Sequence, residues 1–576
     1  MRAAAMRGAP TSGPLCAKRA ALMFGALALL FALLAGRSLY LQGIDDEFLQ
    51  DQGKARYSRA LEVPAHRGRI VDRHGEALAI STPVKSLWAF PERLEATPAQ
   101  WNALATILET TPHALKKKVA TADDFVYLAK RIPPETAARA QALRIKGLHD
   151  ENEYRRYYPG VEVTGQIIGF TGDRDVGQEG IELAQQAWLA GKSGSRRVII
   201  DRRGDVVEDV AAIREPQAGR DLALAIDSRL QYLAFRELKA AVEQHRAKGG
   251  GLVILDSRSG EVLALANWPA FNPNRTDRQA GDRVRNRALT DVFEPGSTLK
   301  PFTAAMALEA GIARPETLID TQRGSLTING ATIRDAHPSG TLTLEQVIAK
   351  SSNVGAAKLA LAMPAQRMGQ TLADLGFGAK PQTGFPGEVA GRLRPPKSWR
   401  PIEQATISYG HGISVNLVQL ARAYTVFAND GELKPVTLLK TDAKVAGKAV
   451  IKPETARSVR RMLELATLPG GTAPKAQIAG YRVAGKTGTA HKLENKVYAD
   501  RYLSSFVGFA PASQPRLIVA VMIDEPSAGQ HYGGAVAAPV FANVMLGALR
   551  LLGVPADAPS NNVILPPDLT EIREET

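Results

Sequence analysis

One cysteine, Cys16, stands in 576 residues. That count excludes a disulfide within the chain and any cysteine-held metal cluster, so the core alone must hold the fold. Neither a zinc-ligand set nor a basic recognition helix is present. Without them the excess of 72 basic over 58 acidic residues, a net charge of +14, does not indicate nucleic acid. A negatively charged envelope or membrane surface accounts for the same charge. What the chain does have is a globular composition, 45% hydrophobic and 23% charged. At this length one ordinary core does not suffice, and two or more domains are expected.

Ala20 to Gly36 is an uninterrupted apolar run. With Ser38 to Leu41 beyond the single Arg37 it approaches the roughly 20 residues that a bilayer span needs. Arg2, Arg7, Lys18 and Arg19 precede it with no acidic residue among them, and Asp45, Asp46 and Glu47 follow. The positive-inside rule then keeps residues 1–18 in the cytoplasm, with 19–41 as the span, and exports the rest. The run exceeds the usual signal-peptide core and no small-x-small site closes it, so a retained single-pass anchor is expected. Cys16 lies before the run, which excludes a lipoprotein cleavage site.

Beyond the span, Asp45 to Arg59 reads as a helix or stalk, and Pro64 to Gly75 as two short extended stretches around a glycine turn. Thr97 to Ala120, Pro134 to Ala142 and Gly180 to Trp188 read as helices, and Asp201 to Gly204 as a turn. Residues 42–220 carry many charged turns and no dense apolar signal. They read as an elongated α+β pedestal with exposed aromatics such as Tyr157 and Tyr158, in which Arg69 and Arg156 are expected to act on partner proteins. From Asp221 the pattern changes. Gly251–Asp256 and Glu261–Ala266 flank a turn as a hairpin, and Ser297 to Ala310 is a helix with Pro301 in its first turn and Gly311 as its stop. Thr343-Leu-Glu-Gln346 is a capping box, and a helix resumes from Val354 to Met363. Ser505–Ala510 and Leu517–Ile523 are strands. A sheet covered by the helical middle would place Lys486 at a strand edge, facing the Ser297 helix. Residues 221–555 form this second domain, and 556–576 read as a disordered tail.

Three polar clusters carry the chemistry: Ser297-Thr-Leu-Lys300, Ser351-Ser-Asn353 and Lys486-Thr487-Gly488-Thr489. A Ser-x-x-Lys tetrad opening a helix sets a hydroxyl and an amine one turn apart on the same face. Lysine in water is almost fully protonated at neutral pH, so a site using Lys300 as base must depress its pKa by burial or a second cation. Lys486 offers that second charge, while Ser351 and Asn353 offer a hydroxyl relay and an amide. Alone, the clusters have ordinary explanations as a helix cap with a solvated lysine, a turn, and a strand end at a glycine bend. Together they indicate one active site built on a serine nucleophile.

This triple set resembles that of penicillin-binding proteins and class A β-lactamases. The wider chain resembles class B penicillin-binding proteins of the FtsI-type cell-division transpeptidase kind. Phe293-Glu-Pro-Gly-Ser-Thr-Leu-Lys-Pro-Phe302, Ser408-Tyr-Gly-His-Gly-Ile-Ser-Val-Asn-Leu-Val-Gln-Leu420, Val483-Ala-Gly-Lys-Thr-Gly-Thr-Ala490 and Tyr532-Gly-Gly534 carry the likeness. So do Arg67-Gly-Arg-Ile70 with Asp72-Arg73, and Gly177-Gln-Glu-Gly-Ile-Glu182, in the pedestal. The resemblance covers about residues 60–545. It implies a multidomain α+β protein: a transmembrane helix, a pedestal of the dimerisation type, and a penicillin-recognising transpeptidase domain with an antiparallel sheet flanked by helices.

The implied reaction is crosslinking of peptidoglycan stem peptides. Ser297 attacks a D-Ala-D-Ala carbonyl, Lys300 serves as its base, and Ser351 relays a proton to the leaving amine. Asn353 bonds the substrate amide, and Lys486 with Thr487 and Thr489 receives the terminal carboxylate. The backbone N–H of Ser297 and one near Thr489 form the oxyanion hole. No metal or organic cofactor is implied. β-Lactam antibiotics are expected ligands, and a septal glycosyltransferase and other division proteins are expected partners, because no polymerising module precedes the pedestal. The implied location is the bacterial inner membrane at the division septum, with the catalytic domain periplasmic. Rival readings are an elongation-type transpeptidase, a D,D-carboxypeptidase, a β-lactamase, and a non-catalytic scaffold or β-lactam sensor. Against the β-lactamase, none of Glu388, Glu403, Glu432, Glu454 or Glu464 is closely followed by asparagine. Against a scaffold, the polar set is intact.

Overall fold

The apolar run forms one helix, α1 (Pro14–Gly43), whose Ala17–Leu41 stretch has a mean hydropathy of 2.0. Twenty-five residues at 1.5 Å rise span roughly 37 Å, enough to cross a hydrocarbon core. The computed structural model describes residues 14–43, 58–123, 125–172, 175–200, 206–275, 281–443, 445–494 and 497–564. Most of the expected stalk and the expected turn at Asp201–Gly204 lie outside these residues. Contacts divide the chain into two units, residues 1–65 with 192–217, and residues 66–191 with 218–576.

In the first unit β1 (Ser58–Val63) joins two strands from the later segment, β6 (Gly194–Ile200) and β7 (Val206–Arg214), as an antiparallel sheet in the order β1-β6-β7.

The second unit begins with β2 (Ile70–Val71) and β3 (Ala77–Ala89), separated by a turn in which Gly75 takes φ +93°. Two helices follow, α2 (Pro98–Ile107) and α3 (Pro112–Ala120), where one was expected. The break has a local cause. Thr111 accepts a bond from Ala114 N–H at 3.2 Å and Pro112 takes the first helical position, so the chain restarts rather than continues. β4 (Val126–Ile132), α4 (Pro134–Gln141) and β5 (Leu148–Tyr157) complete a layer in which β4 and β5 both pair antiparallel with β3. Leu87, Trp101, Leu104, Leu115, Leu128 and Leu148 are buried together between these strands and helices. This region has a dense apolar core after all. Its residues are spread over six short elements, so no single stretch shows a run.

α5 (Val161–Ile168) and β8 (Leu222–Ala223), which pairs parallel with β2, also belong to this unit, and two pedestal motifs meet in it. Arg67 and Arg156 both hold Glu182, at the start of α6 (Gly180–Ala184), with Nε–O distances of 2.7 and 2.6 Å, and all three side chains are buried. Arg156 is thus a core residue. Tyr158, expected to be exposed, is only 2% accessible, and its hydroxyl accepts from Thr171 N–H at 2.9 Å. Asp72 accepts from Ser228 Oγ at 2.8 Å and Ser228 N at 3.1 Å, which ties the first motif to the start of α7 (Ser228–Gln244). The expected helix from Gly180 to Trp188 is interrupted after Ala184 and resumes at Gln186–Leu189.

The larger part of this unit is built on a five-stranded antiparallel sheet. β9 (Gly249–Asp256) and β10 (Val262–Trp268) form the expected hairpin. β11 (Ala484–Glu494), β12 (Val497–Ala510) and β13 (Leu517–Asp524) complete the order β10-β9-β13-β12-β11. β9, β10 and β13 have few polar positions because both faces of the sheet are covered there. Leu252, Ile254, Phe506, Val519 and Val521 pack with α7 and the C-terminal helix Gly533–Leu551. Val253, Leu255, Val507, Phe509, Ile518 and Ala520 face the helical middle that includes Phe302, Tyr424 and Phe427. Gly533–Leu551 is also apolar enough to span a membrane, but half of it is buried here as a core helix. The chain past Pro555 is held up to Ile564, with Asp557 accepting from Arg482 N–H at 2.7 Å and Asn562 from Gly480 N–H at 2.9 Å. Residues 556–564, expected as part of a disordered tail, are thus held against the domain, and the rest of that expected tail lies outside the described residues.

Candidate active site

Ser297 lies on a tight 3-10 turn, Gly296–Leu299, and Lys300 opens the α-helix Lys300–Glu309. The expected helix from Ser297 is thus split into two geometries, the tighter turn preceding a helix whose second residue is Pro301. Gly296 takes φ +55°, which a residue without a side chain tolerates at no cost. Both Ser297 and Lys300 are buried. Lys300 Nζ donates to Ser297 Oγ at 2.9 Å, to Ser351 Oγ at 3.0 Å and to the Ser351 carbonyl at 2.5 Å. One amine therefore bridges two hydroxyls.

Ser351 takes φ +64°, a left-handed conformation that costs a residue with a β-carbon roughly 1–2 kcal/mol. The conformation directs both its hydroxyl and its carbonyl at Lys300. The flanking elements hold it there. Upstream, the Thr343 capping box starts the helix Leu344–Ala349, as expected. Downstream, Ser352 Oγ accepts from Gly355 N–H at 2.9 Å and starts the helix Asn353–Leu361. Asp335 braces the junction, accepting from Ser352 Oγ at 2.7 Å and from Val354 N–H at 2.9 Å. Asn353 Nδ2 donates to the Arg334 carbonyl at 2.9 Å.

Lys486 is buried on β11, the edge strand of the sheet. Its Nζ donates to Thr487 Oγ1 at 3.0 Å and contacts Thr472 Oγ1 at 3.4 Å, and the two threonine hydroxyls are 2.9 Å apart. Thr489 Oγ1 accepts from Gly533 N–H at 3.0 Å. Gly488 brings this strand over the turn that bears Ser297. A Cβ there would stand 2.9 Å from the Pro295 carbonyl and 2.5 Å from Ser505 Oγ. The edge strand thus lies against the turn bearing Ser297, as the sequence led us to expect.

Several further side chains complete the site. The Tyr409 ring centroid is 6.0 Å from Lys300 Nζ, and burial raises the tyrosine pKa, helped by the charges of Asp335 and Glu294. His411 is half-buried with its Nε2 enclosed, and its pKa is pulled down to about 4 by desolvation first, then by Lys300 and His491. Burial raises the Glu294 carboxyl, which accepts from Gly412 N–H at 2.8 Å and Tyr498 Oη at 3.1 Å. Tyr409 and His411 lie in a motif already singled out, but nothing local in the sequence gave them a role. Asp335 and Thr472 carried no signal, since each acts on a partner from another part of the chain.

The arrangement supplies a serine hydroxyl, an amine within hydrogen-bond reach of it, a second hydroxyl beyond the amine, and a lysine on a neighbouring strand. Residues 250–546 match the penicillin binding protein transpeptidase domain, and residues 62–224 the penicillin-binding protein dimerisation domain. The probable peptidoglycan D,D-transpeptidase PenA of Neisseria gonorrhoeae is 42% identical over 540 residues, covering 93% of each chain. The peptidoglycan D,D-transpeptidase FtsI of Escherichia coli K12 is 41% identical over 548 residues, covering 94% of this chain and 93% of that one. Among solved structures, the apo transpeptidase (TP) domain of Burkholderia pseudomallei penicillin-binding protein 3 aligns with a TM-score of 0.55 and 49% identity. It covers 58% of this chain and 98% of that one.

Proposed function

The chain belongs to the class B penicillin-binding proteins and is a peptidoglycan D,D-transpeptidase, and from that premise we propose that Ser297 is its nucleophile. The observation that carries this is the position of Lys300 Nζ, 2.9 Å from Ser297 Oγ and 3.0 Å from Ser351 Oγ. Ser297 Oγ attacks the carbonyl of the penultimate D-Ala of a donor stem peptide, and the bond to the terminal D-Ala breaks. Lys300, in a neutral form whose two N–H bonds go to Ser351 and whose lone pair faces Ser297 Oγ, takes the hydroxyl proton, and Ser351 passes a proton to the departing amine. An amine of a second stem peptide then attacks the ester. An amide forms, the ester bond breaks, and a proton returns to Ser297 Oγ. Lys486 supplies positive potential for the terminal carboxylate, and Asn353 orients the substrate amide. The N–H groups of Ser297 and of the β11 edge near Thr489 receive the developing oxyanion.

Water is a poor second substrate in this reading. Glu403 is held by Arg400 and Arg394 at a pKa of about 2, and Glu388 accepts from Gln382 and Thr383 N–H. Neither resembles a base poised to activate water. General-base help is worth roughly 10² to 10⁴-fold, so a penicillin adduct should persist. Intact-mass measurement with labelled penicillin tests both points. One adduct lasting many minutes is expected on the wild type and none on Ser297→Ala. Undiminished labelling of the variant would refute the nucleophile, and turnover within seconds would make the protein a β-lactamase.

The chain is anchored by α1, and we assign the rest of it to the periplasmic side from the basic residues ahead of the span. The overall similarity to FtsI supports a role at the division septum, with a glycan polymerase and division proteins as partners. A fluorescent fusion at the lateral wall rather than midcell would overturn that role.

A further inference from the structure

The sheet formed by β4, β3 and β5 in the pedestal covers its core with one face only. Leu87, Leu128 and Leu148, one on each strand, are buried on that face with α2, α3 and α4. Side chains alternate along a strand, so the adjacent Trp88, Tyr127 and His149 turn to the other face. In register, Trp88 stands opposite Tyr127 on one side and His149 on the other. Phe90, just past β3, and Phe125, just before β4, extend the row. The rings touch in sequence. His149 stacks on Trp88 at 4.5 Å between centroids, Trp88 meets Phe125 and Phe90 at 5.3 Å each, and Phe125 meets Tyr127 at 4.8 Å. None of the five belongs to the buried core of this layer, and Phe125 is 42% exposed. Three strands carry the row, so it crosses roughly 10 Å of sheet. A contiguous aromatic surface of this kind marks a binding face.

The rim of the row suits neither sign of charge. Lys130 Nζ lies 4.3 Å from the Tyr127 centroid, and Arg93 Cζ 4.9 Å from that of Phe90. A cationic partner would meet these two positive charges on the very rings that could receive it. An anionic partner would meet Glu151 and Glu153, which follow His149 on the same face of β5. Arg131 already neutralises Glu153, at 3.3 Å. Glu151 is exposed, and among the described residues it accepts only from Tyr127 Oη, at 3.4 Å. A carboxylate acceptor with spare capacity thus stands at the edge of the rings. The surface fits a ligand that is uncharged, apolar on its ring faces and supplied with O–H and N–H donors. A chain of N-acetyl sugars has all three properties, and peptidoglycan is built on one.

We propose that this aromatic row is a docking surface for the glycan strand itself, holding its uncharged β-1,4-linked N-acetyl sugar backbone while the stem peptides are crosslinked. The rings pack against the C–H faces of the sugars, and Glu151 accepts from a hydroxyl or an acetamido N–H. The surface shares no residue with the catalytic set, so it stands or falls apart from the transpeptidase reading.

The test uses the full chain in detergent, with Ser297 first acylated by penicillin so that the catalytic serine is blocked. The probe is a fluorescently labelled hexamer of β-1,4-linked N-acetylglucosamine, which carries neither stem peptide nor charge, and its anisotropy is followed as protein is added. Wild type should bind it saturably, and added salt should leave the affinity unchanged. Phe125→Ser removes an exposed ring, which leaves the core of the layer intact, and should weaken binding roughly tenfold, the upper worth of one aromatic contact. An unchanged melting temperature checks that this variant is folded. Glu151→Gln should weaken binding several-fold, because the acceptor loses its charge. No saturable binding by wild type, or an unchanged affinity in either variant, would overturn the surface. Intact hexamer binding by Phe125→Ser together with loss of a concentration-dependent dimer would assign the rings to a second copy of the chain instead. Failure of penicillin to acylate wild type would strike the transpeptidase reading and not this one.

Discussion

His411 shows how far one side chain can be governed by its surroundings. It lies in a glycine-bounded turn, is half-buried, and its Nε2 is enclosed with no hydrogen-bond partner among the described residues. Burial and the neighbouring Lys300 charge hold its pKa near 4 in the folded chain, against 6.5 ordinarily. Between those values the unfolded chain binds a proton that the folded chain does not. Stability is therefore complete above about pH 6.5 and falls as pH drops towards 4, by about 3 kcal/mol over the window. His411→Gln should flatten this part of the profile. Denaturant midpoints at pH 7 and pH 5 decide it, and an equal acid loss in the variant would show that other groups set the slope. At this scale the meeting of Ser297, Lys300 and Ser351 was legible because Ser297 and Lys300 are near neighbours in sequence and Ser351 carries its own motif. Tyr409, Asp335 and Thr472 were not, because their partners arrive from remote segments.

Each element contributes a position, and the edge strand β11 shows the tolerance involved. Strand identity was readable from apolar runs, and the capping box at Thr343 from its four residues. The two helices at 98–120 were misread as one because the apolar pattern continues through Pro112, and only the cap at Thr111 stops it. On β11 the residue that matters sterically is Gly488. A methyl group there meets the Pro295 carbonyl at 2.9 Å, which is backbone and cannot rotate away. Gly488→Ala should lift the strand off the turn and shift Lys486 relative to Ser297. Misplacement of about 1 Å can cost 10²-fold in rate, so penicillin acylation should slow by more than tenfold. Far-ultraviolet circular dichroism should show the sheet intact. Wild-type acylation by this variant would mean that the strand and the turn are not rigidly coupled.

Across the whole molecule the pedestal was the least legible part, for a physical reason. Charged residues in turns ordinarily indicate a solvated surface, yet here Arg67, Arg156 and Glu182 are drawn from three distant segments into one buried ionic node. Nothing at any one position announces that its countercharge lies far along the chain. The sequence alone suggested that Arg69 and Arg156 act on partner proteins, and the structure separates them. Arg69 forms an exposed pair with Asp221, whereas Arg156 is enclosed beside Tyr158. Two guanidinium groups share one carboxylate in this node, so Glu182→Gln would leave both cations buried without an anion. Breaking a buried pair typically costs about 3–5 kcal/mol, and a large fall in melting temperature is expected. Arg69→Ala, at the surface, should melt like wild type. The node lies outside the catalytic set, so penicillin acylation by Glu182→Gln should match wild type at temperatures where the variant stays folded. A Glu182→Gln chain that melts normally but fails to support division would sink the structural role and return this arginine pair to the partner surface.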